Sequence, residues 1–273
     1  MHSGRERLAS IFGAARDDGR GALMPFIVGG YPSPGSIGAL ISSIDAAGAD
    51  VIEVGFPFSD PIADGPVVAA AMHDALGAGA TPDGVIRSVA DIRSSVDAGL
   101  VAMVSVSIAA RLGGPSGFVN SCVEAGFDGF IFPDASLEEA QPYVEACDAA
   151  DAGCSLLISP STSAERAGRI AAASSGFVYM LARSGVTGER ESAPDVSGRV
   201  AELRTSTDLP IAVGFGISSA DHVRAVVEHA DAAIVGSALV RRLREAEGDP
   251  AEAAGRFVAE LAAGLNPDRA GRN

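Results

Sequence analysis

Positive charge is scarce in this chain of 273 residues, which has 20 arginines and lysines against 35 aspartates and glutamates. The formal net charge is -15 and the sequence pI is about 4.6. Nucleic acids and anionic membrane surfaces bind basic faces, so the composition argues against both as partners. An anionic ligand would have to be held by backbone N–H groups at a helix terminus more than by clusters of basic side chains.

Long apolar runs and metal-ligand spacings are also missing. No segment reaches the ~20 apolar residues of a membrane span, and the N-terminus has no run of secretory length. The three cysteines are typical of reduced thiols, so we expect a cytoplasmic protein. The four histidines form no i, i+4 pair and have no cysteine partner, so the sequence predicts no metal site.

Short apolar runs alternate with amphipathic stretches along the whole chain. With 47% hydrophobic residues the chain can bury a sizeable core, and no linker divides it, so we expect a single domain over residues 1–273. Continuous apolar strands joined by helices are typical of a parallel sheet covered by helices. Eight such units favour a closed TIM (β/α)8 barrel. The predicted strands lie at 23–28, 51–54, 100–106, 129–132, 155–158, 177–182, 211–214 and 232–235.

Helices are predicted between the strands and at both ends of the chain. An extra N-terminal helix at about 5–18 would close the bottom of the barrel, a last helix would occupy 250–265, and we expect a disordered tail at 266–273. An open doubly wound sheet is the alternative, but it would need a glycine-rich dinucleotide turn after the first strand, and residues 29–32 do not form one. The other predicted helices lie at 34–47, 82–96, 117–125, 137–150, 164–173, 196–205, 220–229 and 237–246.

Three carboxylates follow one another on and after the second predicted strand. Glu53 lies inside the apolar run 51–54, and Asp60 and Asp64 lie on the loop 56–66. An unpaired buried carboxylate is costly, so Glu53 is either a structural group that caps a turn or pairs with an arginine, or an acid/base in a cavity built for it. Active sites of such barrels lie at the carboxyl ends of the strands, which would place Glu53 near the mouth of the barrel.

Two glycine-rich turns follow the last two predicted strands, at 213–218 and 235–238. Each leads directly into a helix, where free N–H groups and the helix dipole favour a phosphate. Simple strand-to-helix turns are the alternative explanation. The loop 183–190 after the sixth strand is either an ordinary solvent loop or a lid over a bound substrate.

In combination, these segments resemble the tryptophan synthase alpha-subunit family. They are Met-Pro-Phe-Ile at 24–27, Glu-Val-Gly-Phe-Pro-Phe-Ser-Asp-Pro at 53–61, Ala-Asp-Gly-Pro at 63–66, Arg-Ser-Gly-Val-Thr-Gly at 183–188, Gly-Phe-Gly-Ile-Ser at 214–218 and Val-Gly-Ser-Ala at 235–238. The resemblance implies a lyase of tryptophan biosynthesis that cleaves indole-3-glycerol phosphate to indole and glyceraldehyde 3-phosphate in a retro-aldol step, without a cofactor of its own. It also implies a beta-subunit partner that carries pyridoxal phosphate, in an alpha2-beta2 heterotetramer.

The resemblance also assigns residues. It implies that Glu53 is the acid/base, that Asp64 accepts the indole N–H, that Thr187 holds Asp64, and that Asp60 is a loop or interface residue. Substrate and phosphate would be bound by Phe26, Tyr179, Thr187, Gly188, Gly214, Phe215, Gly216, Gly236 and Ser237.

The chain departs from the family pattern at three places. Residues 67–69 are apolar where the family usually has a polar triplet ending in Gln, residues 104–108 lack the usual Tyr and Asn, and residues 133–136 lack the usual second proline. Two alternatives therefore stay open. One is a different phosphate-binding barrel enzyme, and the other is a catalytically weak paralogue that acts as an allosteric partner of a beta subunit.

Overall fold

A computed structural model describes residues 3–61, 64–182, 195–214 and 216–265. Within these ranges no helix is long and apolar enough to cross a bilayer. The predicted tail 266–273 and the loop 183–190 lie outside the described residues. The strands are β1 (Ala22–Val28), β2 (Val51–Gly55), β3 (Gly99–Met103), β4 (Gly129–Ile131), β5 (Gly153–Ser155), β6 (Leu157–Ile158), β7 (Val178–Leu181), β8 (Ile211–Gly214) and β9 (Ala232–Val235).

Helices surround these strands, and several begin at a residue whose side chain caps the first turn. Ser3, Thr81, Ser163, Ser219 and Asp249 each accept a bond from a first-turn N–H, which satisfies donors that the helix itself leaves free. The helices are α1 (Gly4–Asp17), α2 (Ile37–Ala46), α3 (Pro66–Gly77), α4 (Pro82–Ile92), α5 (Val106–Arg111), α6 (Gly114–Ala125), α7 (Gln141–Ala149), α8 (Ala164–Ala173), α9 (Ser197–Arg204), α10 (Ala220–Val227), α11 (Ser237–Arg244) and α12 (Pro250–Ala262).

All strand pairs are parallel, and the sheet order is β5-β4-β3-β2-β1-β9-β8-β7-β6. The two end strands of this order, β5 and β6, are separated in the chain by Leu156 alone. One segment therefore pairs with β4 through its first half and with β7 through its second half, which closes the sheet. The prediction of a (β/α)8 barrel is confirmed, and the predicted fifth strand is split in two.

Serine hydroxyls explain why that strand is split. Cys154 N donates to Ser175 Oγ at 3.0 Å and Leu156 N donates to Ser174 Oγ at 3.2 Å. These side chains just before β7 take backbone donors that a regular ladder would give to carbonyl groups.

Leu8 of α1 fills the floor of the barrel, at the amino ends of the strands. The side chain is fully buried and lies against four glycines. A Cβ atom would come within 3.0 Å of Leu8 at Gly99 and Gly129, 2.9 Å at Gly153 and 3.3 Å at Gly176. The contact at Gly153 would be shorter than real Cβ atoms show, and those at Gly99 and Gly129 would be unusually tight, so Leu8 would have to shift to admit a side chain at any of the three.

The sequence prediction misses two helices, α5 and α3, both on the side of the mouth. The third strand ends at Met103, and Val106 begins α5, because Asp134 accepts the Val106 N–H at 3.0 Å and the Ser105 hydroxyl at 2.7 Å. Helix α3 was not predicted at all. It begins where Gly65 is followed by a proline at the first helical position. The other predicted helices agree with the structure to within about four residues at their ends.

Candidate active site

Glu53 lies in the middle of β2, where it pairs with Phe26 on one side and Val101 on the other. Its side chain is fully buried, and neither carboxyl oxygen has a hydrogen-bond partner among the described residues. The interpretation of Glu53 as a turn cap or an arginine partner is therefore not supported. Burial raises the pKa of Glu53 well above its usual value, because the charged form loses its hydration and gains no compensating contact.

Asp64 lies at the end of the β2–α3 loop, one residue before the N-cap of α3. Burial raises the pKa of Asp64 to about 6. Tyr179 of β7 connects the two acids electrostatically. Burial first, and then the charges of Glu53 and Asp64, raise the pKa of the Tyr179 phenol well above its usual value. Both carboxyl groups thus lie close enough to the phenol to influence the same proton.

Two cavities meet at Asp64, Met103 and Pro133. The larger, about 360 Å³, continues along Leu156, Leu157, Tyr179 and Leu181 and ends at Ser136, Ser159, Thr162 and Arg166; we call it the β5–β7 cavity. The smaller, about 240 Å³, is lined by Phe56, Phe58, Asp60, Met72, Val104, Ser105 and Asp134; we call it the β2–β4 cavity. Asp60 is exposed at the rim of the second cavity.

Glycines make room for the aromatic side chains at the mouth. A Cβ atom on Gly55 would lie 2.6 Å from the ring of Phe26, too close for the ring to stay where it is. A Cβ atom on Gly214 would likewise lie 2.6 Å from the phenol oxygen of Tyr179. The positions of the two rings therefore depend on residues without side chains in the neighbouring strands.

The turns after β8 and β9 have the geometry expected of a phosphate site. Gly216 has φ +80°, a conformation that glycine adopts at low cost. Ser237 is the first residue of α11, and no side chain caps that helix, whereas Ser219 caps α10. Because α11 follows β9, its first N–H groups lie at the mouth, where an anion could accept them.

The structure thus brings Glu53, Asp64, Phe26, Tyr179, Gly214, Gly216, Gly236 and Ser237 to one end of the barrel. Phe215, Thr187 and Gly188 lie outside the described residues. Sequence reasoning missed Met103 and Leu157, which line the β5–β7 cavity. Strand alternation could have indicated Met103. It follows Val101 by two residues on β3, so both side chains lie on one face of the strand, and Val101 is the residue that pairs with Glu53. Within the described ranges no group of three His, Cys, Asp or Glu side chains could hold a metal ion.

A closed parallel barrel with one buried acid, one half-buried acid and two glycine turns at the carboxyl ends of its strands defines a (β/α)8-barrel enzyme of the acid–base type. The family model described as tryptophan synthase alpha chain matches residues 12–266. The chain belongs to the tryptophan synthase alpha-chain family.

Relatives and solved structures agree with this membership. The tryptophan synthase alpha chain of Synechococcus sp. (strain CC9902) is 41% identical over 257 residues, which cover 93% of this chain and 95% of the relative. That of Halorhodospira halophila (strain DSM 244 / SL1) is 42% identical and covers 88% of each chain. A structure of Mycobacterium tuberculosis tryptophan synthase superimposes with a TM-score of 0.87 at 34% identity, over 95% of this chain and 98% of that chain. Tryptophan synthase subunit alpha from Legionella pneumophila str. Paris gives a TM-score of 0.86 at 30% identity, over 95% and 98%.

Proposed function

We propose that this chain cleaves indole-3-glycerol phosphate to indole and glyceraldehyde 3-phosphate as the alpha subunit of a tryptophan synthase. The observation that carries the proposal is the buried carboxyl group of Glu53, which has no partner among the described residues and shares an electrostatic environment with Asp64 and Tyr179. A paralogue that had lost catalysis would have no need to keep this costly group.

Glu53 would serve as acid and then as base. Its raised pKa favours the protonated form, which can give its proton to C3 of the indole ring. The bond from C3 to the side chain then breaks, and its electron pair restores the aromatic ring. The adjacent hydroxyl becomes an aldehyde and returns a proton to Glu53.

Asp64 would stabilise the positive charge that the ring carries after C3 is protonated. With a pKa of about 6 it is mostly ionised at neutral pH, so it can accept the indole N–H. Burial thus favours the protonated form of Glu53 more strongly than that of Asp64, and two acids with separated pKa values are common in acid–base sites. Thr187 would hold Asp64, as the family resemblance implies.

The composition favours this proton-transfer route over an imine route. All 20 basic residues of the chain are arginines, and the sequence contains no lysine. Cleavage through a Schiff base needs a side-chain amine, which arginine does not supply. Without an amine to form an imine, the cleavage would be driven by proton transfer, for which we assign Glu53 and Asp64.

The phosphate of the substrate would lie against Gly216, Gly236 and Ser237, at the free N–H groups of α11. These donors act without net positive charge, which suits a chain of net charge -15. Gly214 would keep Tyr179 in place, Phe26 and Phe215 would contact the substrate, and Gly188 would complete the phosphate site.

A beta subunit that carries pyridoxal phosphate would be the partner, in an alpha2-beta2 assembly in the cytoplasm. The alpha chain itself would need no cofactor, and residues 1–273 would form one barrel domain. Asp60, exposed at the rim of the β2–β4 cavity, would lie at the partner-facing side, next to the residues 104–108 that depart from the family pattern.

The deciding experiment is release of glyceraldehyde 3-phosphate from indole-3-glycerol phosphate by the purified chain, titrated with a tryptophan synthase beta subunit. We expect slow release that rises as the beta subunit is added, and its loss in Glu53→Gln and Asp64→Ala but not in the exposed control Glu124→Gln. No release at any beta concentration would overturn the proposal. A near-normal rate in Glu53→Gln would remove that residue from the mechanism.

A further inference from the structure

We propose that the β5–β7 cavity lets this chain bind and process indole substrates that carry a neutral hydrogen-bonding group, such as a hydroxyl, on the benzo ring. Ser159 and Thr162 would be the residues that determine this specificity. The inference rests on the proposed function, because the anchors of that function set the orientation of the ring.

Three anchors fix the ring in the mouth. Its N–H would lie at Asp64, its C3 near Glu53, and its phosphate at the turns after β8 and β9. Since β3 and β4 lie across the barrel from β8 and β9, the benzo edge of the planar ring points away from the phosphate. That edge faces Met103 and Pro133, where the β5–β7 cavity begins.

The cavity changes character along its length. Its inner wall is apolar and suits an unsubstituted aromatic ring, with contacts from Met103, Leu157 and Leu181. Beyond the strands the lining includes Ser159 and Thr162 beside the apolar Ala135, Leu137 and Ile170. An unsubstituted benzo ring would leave the two hydroxyl groups without a ligand partner. The polar end is therefore placed to bind a polar atom attached to the far edge of the ring.

A count of hydroxyl hydrogens shows that the polar end can still donate. Ser159 Oγ lies 3.0 Å from Ser161 Oγ and 2.9 Å from Thr162 Oγ1, and Thr162 Oγ1 also accepts the Ser159 N–H at 3.1 Å. Three hydroxyl groups carry three hydrogens, and their two mutual bonds use two of them. One hydroxyl hydrogen is left over for an acceptor on a ligand.

The charge balance at the outer end favours a neutral group. Arg166 lines the cavity, but its two terminal nitrogens donate to the two carboxyl oxygens of Glu138, both at 2.7 Å. This fork neutralises the cation at the same place. A charged substituent would have to break the pair or lose its own hydration, whereas a hydroxyl group would not.

The position of the hydroxyl pair is fixed by the neighbouring helix. Arg199 of α9 donates to the carbonyl oxygen of Thr162, which ties this turn to the outer layer of the barrel. Side chains that are held in place before a ligand arrives give specificity at low entropic cost.

Binding can be measured directly because the protein contains no tryptophan, so fluorescence of an indole ligand is free of protein indole signal. The probes are 5- and 6-hydroxyindole, compared with 5- and 6-methylindole, which have nearly the same size. The readout is the ratio of the methylindole Kd to the hydroxyindole Kd, measured in the presence of glycerol 3-phosphate. The same ratio is taken for kcat/KM in the condensation of each indole with glyceraldehyde 3-phosphate.

We expect the hydroxyl preference at one of the two ring positions to fall by about two- to tenfold in Thr162→Val and in Ser159→Ala, the size of one hydrogen bond. Thr162→Ser keeps the hydroxyl group and should restore the preference, which separates its loss from a disturbed turn. Thr205→Val, an exposed threonine at the end of α9, is the matched control and should leave the ratio unchanged.

A hydroxyl preference that survives both Thr162→Val and Ser159→Ala, or that is absent from the wild-type protein, would overturn the inference. Failure of the proposed function has a different signature. It would appear as absence of glyceraldehyde 3-phosphate release from the unsubstituted substrate, whatever the binding ratios are.

Discussion

The phenol oxygen of Tyr179 lies 2.6 Å from the point that a Cβ atom on Gly214 would occupy. Gly214 is the last residue of β8, and Tyr179 projects from the neighbouring β7 toward both acids of the mouth. The tyrosine can keep this position only while residue 214 has no side chain. The arrangement of the two acids and the phenol thus depends on the absence of a Cβ atom at residue 214 of β8.

Gly214→Ala should lower kcat/KM by about tenfold to a hundredfold, because the added methyl group displaces Tyr179 by an amount that matters for a positioned site. Gly198→Ala is the control, since a Cβ atom there meets nothing within 4 Å. The loss should be smaller when Tyr179→Phe has already removed the nearest atom, which a double-mutant cycle would measure. Full activity in Gly214→Ala would contradict this account of the tyrosine.

Glu53→Gln should change how stability depends on pH. The pKa of Glu53 is raised in the folded state above 4.5, so above about pH 4.5 the unfolded chain releases a proton that the folded chain retains. The free energy of unfolding of the wild type therefore loses about 1.4 kcal/mol per pH unit through this group as pH rises toward its folded pKa. The variant lacks this loss, so its advantage should grow with pH in urea titrations.

The exposed Glu124→Gln variant is the control. It shows how the same exchange at the surface changes the pH dependence of the free energy of unfolding. An advantage of Glu53→Gln that stays constant with pH would show that the carboxyl group is not held protonated in the folded state.

Asp64 should titrate at about pH 6, roughly two units above an ordinary aspartate. Carbon-13 NMR of aspartate carboxyl groups can detect this, with the signal identified by its absence in Asp64→Asn. A kinetic profile should lose kcat/KM as pH falls below about 6, but a substrate phosphate also titrates there, so the spectroscopic measurement decides. Movement of every aspartate signal near pH 4 would show that Asp64 is not desolvated in the folded protein.

Leu8→Ala should cost about 2 to 5 kcal/mol of unfolding free energy, because it leaves a cavity among four glycines that cannot fill it. The residue lies at the end of the barrel opposite the acids, so kcat/KM at low temperature should change little. Leu76→Ala, a half-buried leucine in α3, should cost clearly less and serves as the comparison. Equal losses in the two variants would mean that Leu8 does not hold the floor.

Strands β8 and β9 and helix α8 have the bounds that the sequence predicts, because turn residues or a capping serine stand directly beside each apolar run. Residues 104–106 continue the apolar run of β3, but Ser105 and Val106 donate hydrogen bonds to the distant Asp134, and the chain begins α5 there. The break at Leu156 was not predictable for the same reason: it depends on the hydroxyl groups of Ser174 and Ser175, which are about twenty residues away along the chain.

The site shows the same division between local and distant information. Glu53 was predictable, because a charge inside an apolar strand is visible in a few residues. Its lack of a partner and the change of character along the β5–β7 cavity were not, because both depend on which strands meet in the closed barrel.

One leucine facing four glycines also affects how this barrel can change over generations. A methyl group added at Gly99, Gly129 or Gly153 competes for the same space, so the first such substitution is harmful and later ones act on a floor that is already disturbed. A smaller residue at position 8 would relieve the contact with Leu8 at all three positions together. Related barrels are therefore expected to exchange Leu8, Gly99, Gly129 and Gly153 as a group, and a leucine transplanted alone into an alanine-lined floor would not fit.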